Sequence, residues 1–533
     1  MKPPLANGRP GEDLQTPETF WRDDEQVPLI ARNVLSQYVV LGVNIGLGIV
    51  MLPFNVAHLG QSAYGLWVLV TSMTTYFDVL EMGYGSAQVK FTAQYRARRD
   101  PHALNEVTST LFFLFVGIAL LKYGLALFVA FNLGRWFNLD PAQAQIGRYV
   151  LLIVSAYVAV SLPFSVFGSV TNGFQRYHLN NVIFVVTSIA AAATNVVVLL
   201  LGYGIVELVA ATTLVRVMSL MAYRRSAYKA FPLLEIRWGH VRKARLREVT
   251  AFSAILLIID VANKVSYTAD TVVIAAFMST AAVAVWSVGQ RLAVMLGRLT
   301  RVLAEKLFPT IVDTAALNRR DRLRLLLVQG TRLSLAMVIP VASFLALLAD
   351  PIVMAWVGPR FAESVPVLQI LALVVVIKVG TMTSQSMLKG TEHHKFLAAS
   401  TATTSVTNLV LSVLLLHWFG LIGVALGTLI PVTIGMLFVV FPKACRVVGL
   451  SVAHAFRSAM WPAIWPAFPA GALLVACRGA IGTSTALTAL AAGCASLLYL
   501  VTFYRFAIPR TERQWYGSKI SALLRRPAVL LPG

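Results

Sequence analysis

Acidic residues are scarce in this 533-residue chain: 23 Asp and Glu stand against 45 Lys and Arg, and all charged residues together make up only 13%. That fraction is about half of what an ordinary soluble domain carries, which excludes a soluble globule and a charge-rich disordered chain. Cysteine is confined to Cys445, Cys477 and Cys494, without CxxC or metal-ligand spacing, so neither a disulfide framework nor a zinc site is expected. DxD, HExxH and nucleophile-elbow patterns are missing and the outer loops are short, which argues against an enzyme; no catalytic residue, metal or cofactor is expected. The His393-His394 pair beside Lys395 reads as a solvated basic turn. What the chain does have is apolar bulk, 57% hydrophobic residues with mean hydropathy +0.73. These values imply a multi-pass membrane protein.

Residues 1–30 read as a polar, disordered cytoplasmic tail, without the apolar core of a cleavable signal. Six spanning segments follow in 31–223, a basic cytoplasmic linker in 224–248, six more spans in 249–442, two further helices in 443–507 and a basic cytoplasmic tail in 508–533. The expected fold is an all-α polytopic membrane protein with about 14 transmembrane helices and both termini cytoplasmic. That count puts about thirty-three Lys and Arg inside against about four outside (Arg135, Arg148, Arg360, Arg478), and a missed helix would spoil the alternation. The net charge of +22 therefore records topology, with no nucleic-acid partner implied.

The halves look like copies. Tyr64-Gly65-Leu66-Trp67 matches Val283-Ala284-Val285-Trp286 at an offset of 219, Gly173-Phe174-Gln175-Arg176 matches Gly390-Thr391-Glu392-His393 at 217, and Thr194-Asn195 matches Thr407-Asn408 at 213. A six-helix repeat enters from the same side each time, giving two lobes related by a pseudo-twofold along the membrane normal.

The run from Ala281 to Leu307 carries Arg291, Arg298 and Arg301 on one helical face. Each would cost about 2.5–3.5 kcal/mol at mid-bilayer, so that face must line protein or water. A cationic stripe inside a bundle suits an anion, and guanidinium groups suit a pyrophosphate. Lys122, Lys264 and Lys378 are further cavity candidates. Shifting by 219 lays Asp78 and Glu81 over Gly297 and Thr300, beside Arg298 and Arg301; they either form a cytoplasmic gate with those arginines or reach interfacial water and Lys90. Asp260 and Lys264, four apart, read as a pair, while Asp260 and Asp270 are alternatively carriers of a coupling ion. The loop from Lys229 to Glu248 either lies on anionic lipid as an interfacial helix or simply marks the positive inside. Trp286 reads as an interfacial belt residue.

The stretch from His58 to Asp100 resembles the Wzx-type polysaccharide or O-antigen repeat-unit flippases of the multidrug/oligosaccharidyl-lipid/polysaccharide (MOP) exporter superfamily. The resemblance rests on Gly60 before Tyr64-Gly65-Leu66-Trp67, on Glu81-Met82-Gly83 and on Arg98-Arg99-Asp100, with Trp356-Val357-Gly358-Pro359-Arg360-Phe361 and Val367-Leu368-Gln369-Ile370-Leu371 further on. It covers roughly Ile30 to Pro442. It implies a two-lobe transporter in the bacterial inner membrane that moves an undecaprenyl-pyrophosphate-linked oligosaccharide outward. In that picture Arg291 and Arg298 meet the pyrophosphate, the chain acts as a monomer among membrane lipids, and a polymerase and glycosyltransferases work in the same pathway. This sequence departs from the family in having Glu81 where Asp is common, and in its last two helices. A lipid II flippase and a cation-coupled multidrug exporter of the same superfamily are the rival readings; the first helix lacks the acid such an exporter needs.

Overall fold

A computed structural model describes residues 26–81, 83–137, 139–317, 319–481, 485–509 and 513; side chains are described for fewer of these, and those of residues 251–252, 254–268 and 298–309 lie outside the description. Among the described residues the secondary structure is helical throughout, with no strand. The helices used below are α1 (Gln26–Phe77), α2 (Tyr84–Ala97), α3 (Pro101–Trp136), α4 (Pro141–Gly173), α5 (Tyr177–Leu200), α6 (Ile205–Ala230), α7 (Lys243–Phe277), α8 (Thr280–Ala316), α9 (Arg320–Leu347), α10 (Ala349–Val357), α11 (Ser364–Gly380), α12 (Met382–Gly390) and α13 (His394–Thr433). Eleven described stretches are long and apolar enough to cross a membrane. Two of them hold a break, at Gly60 (φ 77°) in α1 and Gly420 (φ 57°) in α13, and each is long enough for two crossings. Helices are the physical outcome expected here, because hydrocarbon offers a backbone no other hydrogen-bond partner. Local chemistry starts them: the carboxylates of Asp100 and Asp140 accept from the N–H of Ala103 (2.9 Å) and Gln143 (2.7 Å), with Pro101 and Pro141 as first helical residues.

The chain forms two compact units. The first takes Met1–Met51, Phe77–Asn132 and Gln145–Asp260. Its core joins Phe91, Leu104, Leu111 and Phe115 to Val166, Phe167 and Val170, and closes with Phe231, Leu234 and Val249 from the inter-lobe linker and the start of α7. The second takes Leu52–Tyr76, Leu133–Ala144 and Val261–Gly533. The later half of α1 thus groups with α8, where a Cβ on Gly65 would collide with the Thr280 carbonyl oxygen. Ser62 and Thr280 share a hydroxyl bond (3.0 Å), and Gln61 donates to the Arg360 carbonyl (2.8 Å). Absent Cβ atoms let backbones approach this closely, the usual way apolar helices associate without a hydrophobic drive. The two helices beyond the repeats, Ala467–Ile481 and Thr485–Thr502, pack on α9 and belong to this unit's core; Tyr499 is fully buried and donates to the Ala463 carbonyl at 2.7 Å.

The second span of the first lobe is not one continuous helix: it breaks after Phe77 into one 3-10 turn (Asp78–Glu81) and restarts at Tyr84. Gly83 holds φ +83°, and a Cβ there would lie 2.6 Å from the Ser253 carbonyl oxygen, so the break is fixed by packing on α7. Of the two readings of the linker, the interfacial helix is not what forms: between α6 and α7 the chain runs mostly extended, with a turn at Pro232–Leu233 and one 3-10 turn at Trp238–His240.

Candidate functional site

The break in the second span supplies a polar cluster within the first unit. Lys122, whose residue is 1% exposed, reaches from α3 and donates to Glu81 Oε2 at 2.9 Å and to Asp78 Oδ1 at 3.5 Å. An ammonium in the middle of a span needs a counter-charge, and two carboxylates on an unwound turn provide it. Lys122, a cavity candidate in the sequence, therefore meets the two acids, Asp78 and Glu81. The side chains of Arg298 and Arg301, the partners envisaged for those acids, lie outside the described residues, as do those of Asp260 and Lys264.

The second unit holds another cluster. Asp270 on α7 is buried and accepts from Ser412 Oγ at 3.3 Å and from Thr428 Oγ1 at 3.0 Å. Asn408 donates to Thr428 Oγ1 (2.9 Å) and to the Gly427 carbonyl (3.1 Å). These groups meet because α13 folds back at Gly420. Gly423-Val424-Ala425-Leu426-Gly427 is a small-xxx-small seam: a Cβ on Gly427 would lie 2.5 Å from Ser412 N, and one on Gly423 would strike the Leu415 carbonyl. Lys378, half-buried on α11, is close enough to act electrostatically on Asp270. A buried carboxylate ringed by hydroxyl and amide groups can hold a proton or a small hard cation. Sequence reasoning missed Asn408, Ser412 and Thr428. The Gly423/Gly427 spacing was the signal that could have found them.

The arginine stripe starts at a definite place. From Val283 to Gly289 α8 is enclosed on all sides, with Trp286 fully buried and Ser364 Oγ donating to the Val285 carbonyl at 2.7 Å, so Trp286 is not a belt residue. Enclosure ends at Arg291, which is exposed together with Val294, three residues on along the same face. Arg298 follows Arg291 at two helical turns. Arg291 thus presents its guanidinium at the point where the helix surface opens.

A third network ties the linker to the first unit. Glu106 accepts from Arg242 Nε and Arg245 Nε, both at 3.1 Å, and Arg245 Nη1 donates to the Tyr95 hydroxyl at 2.7 Å. Burial pushes the Tyr95 phenol above its ordinary range, Arg245 opposing and Glu248 adding to the rise.

Against known proteins, a family model described as "Polysaccharide biosynthesis protein" matches residues 30–315. The probable flippase AglR of Haloferax volcanii is 26% identical over 195 residues, 35% of this chain and 40% of that protein, so the match spans well under two thirds of the relative. Among solved structures, the lipid II flippase MurJ in an inward closed conformation superposes with a TM-score of 0.66 at 14% identity, covering 89% of this chain and 98% of that one. An inward-facing multidrug resistance MATE family transporter of the MOP superfamily gives 0.62 at 15% identity, covering 79% and 98%. At these identities the two structures establish a shared fold and nothing finer. The apolar helices and this fold make the chain a multi-pass membrane protein.

Proposed function

The chain belongs to the polysaccharide biosynthesis protein family, and from that premise we propose that it is an alternating-access flippase of the bacterial inner membrane. It carries an undecaprenyl-pyrophosphate-linked oligosaccharide from the cytoplasmic to the periplasmic leaflet, for O-antigen, capsule or exopolysaccharide synthesis. It acts as a monomeric transporter, with lobes at 31–223 and 249–442, between the glycosyltransferases that build its cargo and the polymerase that consumes it. The observation that carries this reading is Arg291, exposed where α8 leaves its enclosed half. Guanidinium donors bind phosphate oxygens in pairs and stay charged at any working pH, so Arg291 and Arg298 take the pyrophosphate. Arg301 closes the cytoplasmic side, and Lys264 adds to the field. Lys122 already has two carboxylates, so we assign it to holding the broken span, with Asp78 and Glu81 as its counter-charges. Asp270, with Ser412, Thr428 and Asn408, is assigned to a coupling cation, with Lys378 as the charge that the cation opposes. An inside-negative potential favours outward movement of net negative charge by about 2.3 kcal/mol per charge per 100 mV.

The test is reconstitution in liposomes with a polyprenyl-pyrophosphate oligosaccharide, lipid II and a cationic dye as competing cargoes. Arg291→Ala with Arg298→Ala removes two charge-assisted sites and is expected to lower oligosaccharide flipping by on the order of a hundredfold. Preference for lipid II, or dye movement that survives the double substitution, overturns the cargo assignment.

A further inference from the structure

The linker between α6 and α7 does more than connect. Its backbone is stitched to the first turns of α3: Asn105 Nδ2 donates to the Leu233 carbonyl (2.9 Å) and Asn105 Oδ1 accepts from Glu235 N (3.1 Å). One turn on, Ser109 Oγ donates to the Glu235 carbonyl (3.1 Å) and accepts from Arg237 N (3.2 Å). Trp238 then stands edge-on to Phe113, centroids 4.7 Å apart. The chain turns and returns: His240 meets His102 (5.9 Å), and Arg242 bonds Thr110 and Glu106, each at 3.1 Å. From Asn105 to Phe113 the strap climbs about 12 Å along α3, so Trp238 is its tip.

The sequence of α3 says where that tip lies. Pro101 to Thr110 is largely polar, and Leu111 to Leu133 is a 23-residue run interrupted only by Lys122, Tyr123 and Asn132, about 34 Å long and thus the length of a hydrocarbon core. Phe113 marks the first turn of that run. Trp238, 71% exposed, therefore projects at the boundary between headgroups and acyl chains, the depth at which tryptophan is enriched. Arg237, Lys243 and Arg247 are exposed around it, the last two one turn apart on α7. From Arg224 to Glu248 the chain holds eight bases and two acids.

We propose that the strap at 231–242 is a membrane-docking element for anionic phospholipid of the leaflet that faces it, with Trp238 seated at the headgroup boundary and Arg237, Lys243 and Arg247 binding headgroup phosphates. The charge is complementary, the depth is set by α3, and the backbone is held at Leu233, Glu235, Arg237 and Arg242 by side chains of α3, so docking requires no folding of the loop.

The test uses the full-length protein in liposomes of phosphatidylcholine with and without phosphatidylglycerol. The difference in fluorescence between wild type and Trp238→Phe isolates one indole; quenching of that difference by lipid brominated near the headgroup end of its chains is expected. A difference signal with water-exposed emission that ignores bromine overturns the seating of Trp238, whether the tip is free or held by another protein. For charge, phosphatidylglycerol retention is titrated for Arg237→Gln with Lys243→Gln and Arg247→Gln, and for a second variant with Arg319→Gln, Arg320→Gln and Arg322→Gln. Membrane-adjacent bases contribute about fivefold each, so the strap variant is expected to bind at least tenfold more weakly while the second variant stays within about twofold of wild type. Equal weakening in both would reduce the strap to generic positive surface and refute the proposal. All six bases are exposed.

Discussion

Replacing Lys122 by Met tests whether the broken second span depends on a buried ammonium. The side chain is 2% exposed and its Nζ contacts Glu81 at 2.9 Å and Asp78 at 3.5 Å. Methionine nearly matches the length of lysine, so the substitution removes charge and leaves the volume almost unchanged. Removing one member of a buried ion pair costs about 3–5 kcal/mol, because the remaining charge is left uncompensated in low dielectric. Here the carboxylates are 32% and 31% exposed and keep further partners, which screens part of the loss and places the expectation near the lower end, about 3 kcal/mol. That is roughly a hundredfold in the ratio of folded to unfolded protein. The measurement is thermal unfolding of the detergent-solubilised protein, followed by size-exclusion chromatography. Lys122→Met with Asp78→Asn and Glu81→Gln, which removes both carboxylates together with the ammonium, should recover most of the loss. If Lys122→Met melts with the wild type, or the triple variant is no better than the single one, the cluster does not hold the break.

At Gly427, where a Cβ would lie 2.5 Å from the Ser412 backbone nitrogen, alanine should force the two arms of α13 apart. Overpacking of this kind costs about 1–3 kcal/mol, and any dependence of transport on a cation gradient should weaken with it; unchanged melting and transport would refute the close crossing. For Tyr95, the phenol is pushed above its ordinary range, chiefly by burial, so the native state keeps a proton that the unfolded chain releases at about pH 10. The associated stability is therefore present below about pH 10 and is lost as pH rises through the native value. Tyr95→Phe should flatten the alkaline slope of the melting temperature and, at neutral pH, cost about 1 kcal/mol for the bond from Arg245.

The spans were legible because the bilayer leaves the backbone no alternative to helix, so apolar run length is nearly sufficient. The break at Asp78–Gly83 was not: apolar residues continue on either side, and what unwinds the helix is the approach of Ser253 to Gly83, a contact between segments 170 residues apart. Lys122 stands out in the sequence as a mid-span charge, but nothing in one helix states the register of another, so the two acids that meet it cannot be read there. Trp286 went astray for a related reason. Hydropathy measures transfer from water and cannot separate a lipid-facing side chain from one enclosed by neighbouring helices. The linker's basic composition was plain, whereas its extended path depends on Asn105, Ser109 and Thr110 offering side-chain partners to its backbone.

The sequence repeat also shows where the two copies part. Asn195 and Asn408 occupy matching positions in the fifth helix of each lobe, and both are buried. In the later copy Asn408 stands in the hydroxyl cage around Asp270. In the earlier copy α1, the counterpart of α7, contains no Asp or Glu, and Asn195 Oδ1 has no hydrogen-bond partner among the described residues. Two acids of that lobe, Asp78 and Glu81, stand at the second-span break, where Lys122 offsets part of their charge. Charge is distributed unequally between the two lobes: in one, Asp270 accepts from neutral hydroxyl groups with Lys378 acting on it from α11, while in the other Lys122 binds two carboxylates. On the coupling proposed above, the ion is taken by one lobe, and the electrostatic asymmetry between the halves follows from four side chains: Asp270 on α7, Lys122 on α3, and Asp78 and Glu81 on the turn after α1.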